Sequence, residues 1–143
     1  MNRARISALA LAAAAALFAG CGGGGGDDAP DPERVTRAVT DYAHAFGDGD
    51  GKQACALLTA GAQQMFTERV SSLVGTRDCA EAVSKLQAVA GPNVTGPFRE
   101  ARVDQVEVTG DKATARVRAG SGAEQVTLEK RDDEWLLTKA PGT

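Results

Sequence analysis

The sequence is poor in the residue types that most enzymes use for chemistry. Its 143 residues include one histidine, one tyrosine and one tryptophan, and aromatic residues make up 4% of the chain. With His44 as the sole imidazole, no convincing Ser-His-Asp order can be traced. The glycine run Gly22–Gly26 lacks the Lys-Ser/Thr pair of a phosphate-binding loop, and a single histidine makes a weak metal set. We therefore expect no cofactor and no bound metal.

A large charge of either sign is also missing. The chain has 16 bases and 19 acids, which gives a formal net charge of −3 at pH 7, and the two signs are interspersed. Removal of residues 1–20 would take away Arg3 and Arg5 and no acid, so 14 bases would face 19 acids at a net charge of −5. A mildly acidic chain has no electrostatic reason to bind nucleic acid.

No apolar run is long enough for a comfortable membrane span. Ile6–Ala19 is uncharged over 14 residues, whereas a transmembrane helix needs about 20. The run follows Arg3 and Arg5 and ends in Ala19-Gly20, the small residues that a signal peptidase requires. This order predicts a cleaved signal peptide over residues 1–20. An uncleaved anchor and an ordinary secretory signal are the alternatives.

Cys21 follows that run directly and precedes the five glycines, an arrangement that resembles a bacterial lipoprotein signal. The resemblance implies that the thiol of Cys21 carries a diacylglyceryl group, often with a further N-acyl chain, and that the chain is cut just before it. Two or three acyl chains hold a protein firmly on a membrane. We therefore expect a lipid-anchored protein on the extracytoplasmic face of the cell membrane, with residues 21–32 as lipidated cysteine and flexible Gly/Asp/Pro tether.

The middle of the chain shows helical spacing. Asp31-Pro32-Glu33 is typical of a helix start with Asp31 as N-cap, and an apolar stripe then runs to about Phe46. Capping boxes at Asp50 and Asp78 predict a short second helix and a fourth helix. A third helix is expected over residues 62–73, and Gly91-Pro92-Asn93 is expected to end the helical part.

From Phe98 the apolar period changes to two. Turn signals at residues 110–111, 120–122 and 131–134 separate four short alternating segments, which predicts an antiparallel meander. Helices followed by one antiparallel sheet indicate an α+β fold. We predict one domain over residues 33–140, in which N-terminal helices pack on a curved, cone-like sheet of four antiparallel strands.

Three stretches resemble the nuclear-transport-factor-like superfamily, also described as cystatin-like or SnoaL-like. Residues 35–50 are similar to its opening helix with a Gly-Asp turn, residues 54–59 to its short second helix, and residues 126–137 to its last hairpin. The superfamily includes isomerases, dehydratases, polyketide cyclases, transport adaptors and lipoproteins with no assigned activity, and the chain is most similar to the last group. A fold of this kind does not carry a function with it.

Assigning Cys21 to lipid leaves Cys55 and Cys79 as an even pair. Outside the cytoplasm such a pair is expected to be oxidised, and the bridge would close a loop of about 24 residues, which contributes roughly 3 kcal/mol by the chain-entropy estimate. A redox-active pair would more usually be spaced Cys-x-x-Cys, which the sequence lacks.

Asp104, Tyr42 and His44 are weak candidates for acid–base groups. His44 lies off the apolar stripe and is expected at the surface, whereas Tyr42 is expected in the core with its hydroxyl at the cone mouth. Strand alternation puts Asp104 on the face of Val106 and Val108, where it could look into the cavity. Val103 favours the opposite face, and a bulge or an edge position would reconcile the two.

Three functions follow as hypotheses. The first is a non-catalytic, membrane-anchored domain that binds a small apolar molecule or an envelope protein. The second is an isomerase-, dehydratase- or cyclase-type enzyme that acts on a hydrophobic substrate in the cone, and the third is a structural domain without a pocket. An enzyme needs at least two converging ionisable groups with shifted pKa values, which distinguishes the second hypothesis from the first.

Overall fold

The computed structural model describes residues 29–142, so the predicted signal peptide, Cys21 and the tether up to residue 28 lie outside the described residues. Within residues 29–142, no helix combines the length and the apolar character that a membrane crossing needs. Five helices precede four strands: α1 Asp31–Asp48, α2 Gly51–Ala56, α3 Ala60–Val74, α4 Cys79–Ala90, α5 Pro92–Arg99, β1 Arg102–Thr109, β2 Lys112–Ala119, β3 Gly122–Arg131 and β4 Glu134–Leu137.

The helix starts follow the predicted caps in two cases. The Asp50 carboxylate accepts the backbone N–H of Gln53 at the start of α2, and the Asp78 carboxylate accepts that of Glu81 at the start of α4. Asp31 is different, because Pro30 holds the N-cap position and Asp31 is already the first residue of α1. The carboxylate of Asp31 does not cap α1 and can therefore accept hydrogen bonds from residues of the sheet.

Helix α5 was not expected from the sequence. Gly91 ends α4 as predicted, but Pro92 then stands at the first position of a new helix, where a missing N–H costs nothing. Gly96 and Pro97 weaken the helical signal of this segment. Packing against α1 outweighs that weakness: a Cβ added at Gly47 would lie 3.1 Å from the carbonyl oxygen of Thr95, so the two backbones touch.

The four strands form an antiparallel sheet in the order β1-β2-β3-β4, and the sheet is neither closed nor strongly curled. The helices pack on one of its faces, which confirms the α+β arrangement. Each connection is two residues long, and Asp132 and Asp133 both have positive φ, as a type I′ turn requires. The buried side chains of this inner face are Ala113, Ala115, Val117, Val126, Leu128, Trp135 and Leu137.

The disulfide between Cys55 and Cys79 is present and joins α2 to the first residue of α4. The two helices also meet backbone to backbone beside it, since a Cβ added at Gly51 would lie 1.9 Å from the carbonyl oxygen of Ala80. No side chain fits at position 51 unless α4 moves. The disulfide therefore holds together two helix backbones that can approach this closely only because residue 51 is a glycine.

Asp31 joins the start of α1 to the hairpin of β3 and β4. Its carboxylate accepts a hydrogen bond from the indole N–H of Trp135 at 3.1 Å and pairs with Lys130 at 3.2 Å. Asp133 in the hairpin turn pairs with Lys130 at 3.2 Å and with Arg34 at 3.4 Å. The hydrogen bond from Trp135 lowers the pKa of Asp31, and that from Lys130 lowers the pKa of Asp133.

We expect this network to make the protein sensitive to acid. A carboxylate whose pKa is lowered on folding stabilises the fold above its unfolded pKa, here an ordinary value of 3.8, and that contribution is lost as the pH falls through the folded pKa. A double variant, Asp31→Asn with Asp133→Asn, should lose less of its free energy of unfolding than the wild type between about pH 6 and about pH 2.5 in urea unfolding.

The matched control is Asp111→Asn. Asp111 is an exposed acid in the β1–β2 turn whose side chain makes no ion pair within the described part of the chain. This variant should keep the wild-type dependence on pH. An equal loss of stability in the double variant and the wild type would contradict the assignment of the acid sensitivity to Asp31 and Asp133.

Candidate functional site

The three candidate catalytic residues lie in three different environments. His44 is exposed on α1, Tyr42 is 1% exposed inside the core, and Asp104 lies on the face of the sheet that points away from the helices. The surface position of His44 and the core position of Tyr42 agree with the prediction. No shared site for acid–base chemistry results from these three residues.

The prediction that Asp104 shares a face with Val106 and Val108 is wrong. Asp104 lies opposite Arg116, and the register shifts before Glu107, with Gln105 at a φ of 52° as part of a bulge. The extra residue turns Asp104 outward, where its carboxylate accepts a hydrogen bond from Arg118 at 2.8 Å. Asp104 thus lies on the edge strand β1 and beside a bulge. These are the two arrangements that would reconcile its position with that of Val103.

Tyr42 is buried together with its hydroxyl. Its ring stacks on Phe46 with centroids 6.0 Å apart, and the hydroxyl has no hydrogen-bond partner within residues 29–142. The hydroxyl was expected at an open mouth, but the atom is enclosed. Burial raises the pKa of Tyr42, and the negative charge of Glu124 raises it further, so the phenol stays protonated at neutral pH.

A groove of about 890 Å³ lies between α2, α3 and the start of α4. We call it the disulfide groove, because Cys55 and Cys79 both line it together with Lys52 and Arg77. Within the described residues, no group of three or more histidines, cysteines or acids could hold a metal ion. The groove thus offers the disulfide, two cations and the two acids Glu68 and Asp78.

Two apolar clefts lie on either side of the C-terminal segment. The first, the helical cleft, has a volume of about 260 Å³, and its apolar lining comprises Phe46, Val70, Leu86, Ala90, Val94 and Phe98. The second, the sheet cleft, has a volume of about 250 Å³ and is lined by Val117, Ala119 and Ala123 of β2 and β3. Phe98, Pro141 and Gly142 border both clefts.

The segment Ala140–Gly142, which we call the C-terminal strap, separates the two clefts. The backbone N–H of Gly142 donates to the Glu124 carboxylate at 2.8 Å, and Lys139 pairs with the same side chain at 3.6 Å. A Cβ added at Gly142 would lie 3.1 Å from the ring of Phe98. This segment has no apolar periodicity, so the sequence alone predicts neither the strap nor the clefts.

The helical cleft has few polar groups. The Thr95 hydroxyl donates to the carbonyl oxygen of Gly91 at 3.1 Å and is therefore satisfied. Among the described residues of the lining, Arg69 is the only titratable one, and no acid within residues 29–142 pairs with it. Arg99, by contrast, is neutralised by Asp48 at 2.6 Å. The described lining of the cleft is therefore apolar apart from the exposed Arg69 and the hydrogen-bonded Thr95.

Replacing Tyr42 by Phe should stabilise the protein. A buried polar group without a partner costs about 1–3 kcal/mol, and the substitution removes the hydroxyl while keeping the ring. We expect the free energy of unfolding to rise by about 1 kcal/mol in urea titrations. Tyr42→Leu, which also removes the ring contacts, should instead destabilise the fold. A loss of stability in Tyr42→Phe would show that the hydroxyl has a hydrogen-bond partner, such as a buried water.

Comparison of the chain with protein-family models, with curated proteins and with solved structures gives no match.

Proposed function

We propose that this protein is a bacterial lipoprotein whose domain binds a small apolar molecule in the helical cleft and catalyses no reaction. The observation that carries the proposal is the lining of that cleft, which is apolar apart from Arg69 and the satisfied Thr95. A concave apolar site with few polar groups is the usual form of a small-molecule site. The order of helices and strands is compatible with the nuclear-transport-factor-like superfamily, several members of which bind molecules in a cone.

The enzyme hypothesis receives less support. Tyr42 is held in its protonated form, His44 is exposed on the helix surface, and Asp104 is paired with Arg118 on the far face of the sheet. Acid–base catalysis needs such groups within hydrogen-bond reach of one substrate. These three residues are not arranged in that way.

The disulfide supports the proposed location. Disulfides persist in oxidising compartments and are rare in the cytoplasm, so the Cys55–Cys79 bridge favours an extracytoplasmic domain. The signal-like residues 1–20 and Cys21 add the membrane anchor to this proposal. Two or three acyl chains on Cys21 would hold the domain at the membrane surface.

The anchor is tested by the full chain made in a bacterium. The wild type should separate into the detergent phase of a cloud-point partition, and its N-terminal peptide should begin at Cys21 with the mass of attached acyl chains. Cys21→Ser should lose the added mass. Gly26→Ser, a change within the glycine run, should keep it. An unmodified wild-type N-terminus at another residue would refute the anchor.

Ligand binding is tested by filling the helical cleft. Ala90→Phe places a ring in the lining, whereas Ala88→Phe adds the same ring at an exposed position of α4 outside it. The full chain in nanodiscs should bind the neutral fluorophore N-phenyl-1-naphthylamine, with empty nanodiscs subtracted. Ala90→Phe should abolish this signal and Ala88→Phe should keep it. Equal binding by both variants would place the ligand elsewhere.

A further inference from the structure

We infer that the ligand of the helical cleft is a single-chain amphiphile with one anionic head group. The inference rests on the proposed binding function and names the chemical class of its ligand. Alkyl carboxylates and alkyl phosphate monoesters share this chemistry. The argument uses the size of the cleft, the position of Arg69 and the pairing of the neighbouring charges.

The size of the cleft favours a thin ligand. Its volume of about 260 Å³ falls just below the range of about 300–1,000 Å³ that is typical for drug-sized molecules. Eight lining residues come from α1, α3, α4 and α5, and four of these eight are aliphatic: Val70, Leu86, Ala90 and Val94. One alkyl chain suits such a space, because each methylene group that is buried there adds to the affinity.

Arg69 places one positive charge at the edge of this apolar surface. It precedes Val70 on α3, and both residues line the cleft, but Val70 is buried and Arg69 is exposed. The site is therefore apolar inside and cationic at the solvent boundary. A guanidinium binds carboxylate and phosphate oxygens through two parallel hydrogen bonds, which suits an anionic head group at that boundary.

Among the described residues around the cleft, Arg69 is the cation that pairs with no acid. Arg99 at the end of α5 is paired with Asp48, and Lys139 beside the strap is paired with Glu124. Within the described residues, no acid lies in the lining of the helical cleft. A cationic amphiphile would be repelled by the guanidinium of Arg69, and a neutral amphiphile would offer that guanidinium no negative charge to pair with.

The test is photoaffinity labelling of the full chain in nanodiscs with a diazirine-bearing ten-carbon carboxylate. Labelled peptides are mapped by mass spectrometry, and decanoate, decyl phosphate, decanol and decylamine compete for the site. We expect labels on the walls of the helical cleft, and competition by decanoate or decyl phosphate at about fivefold lower concentration than decanol. The two anions distinguish a carboxylate from a phosphate ligand.

Arg69→Gln should bring the decanoate concentration for half-displacement close to that of decanol. Arg77→Gln is the matched control, because Arg77 is an exposed arginine that lines the disulfide groove instead and pairs with no acid of residues 29–142. It should keep the preference for the anion. Equal competition by decanol and decanoate in the wild type would overturn the inference and leave apolar binding intact. Absence of labelling at the cleft, together with no fluorophore binding, would overturn the proposed function as well.

Discussion

The disulfide between Cys55 and Cys79 is the constraint on which the helical half of the domain depends. Helix α4 has only Ala82 and Val83 fully buried, so hydrophobic burial alone holds it weakly. The bridge fixes its first residue to α2, and the close approach of Gly51 to Ala80 sets the distance between the two backbones. Its loop-closure contribution of about 3 kcal/mol is a large share of the stability of a small domain.

The shape of the helical cleft also depends on the disulfide, because α4 lines the cleft. Leu86 and Ala90 of α4 form part of its wall, although both are only partly buried. The covalent attachment of its start adds to the packing of α4 on α2 and α3 and helps to hold the helix in position. The oxidised state of the protein and the shape of the cleft are therefore connected, which is consistent with a domain that works outside the cytoplasm.

The elements that sequence reasoning predicted are those with local signals. Asp50 and Asp78 sit at caps that a capping-box pattern describes, and the two-residue turns of the sheet follow from their Gly and Asp residues. The face of Asp104 was predicted wrongly because a bulge reverses the facing of the residues before it; the conflict between Val103 and Val106 indicated a bulge or an edge position but did not locate the extra residue. The cleft was beyond prediction, because its walls come from four helices and the strap.

The attachment of Asp31 to Trp135 has a mechanical consequence. If the chain hangs from lipid at Cys21, any pull along the tether reaches the domain first at the beginning of α1. There the load is shared between the first helical turn and the last hairpin of the sheet, through the indole hydrogen bond and the ion pair with Lys130. The domain would thus be held by both of its layers at once, so that tension from the membrane does not peel α1 away from the sheet.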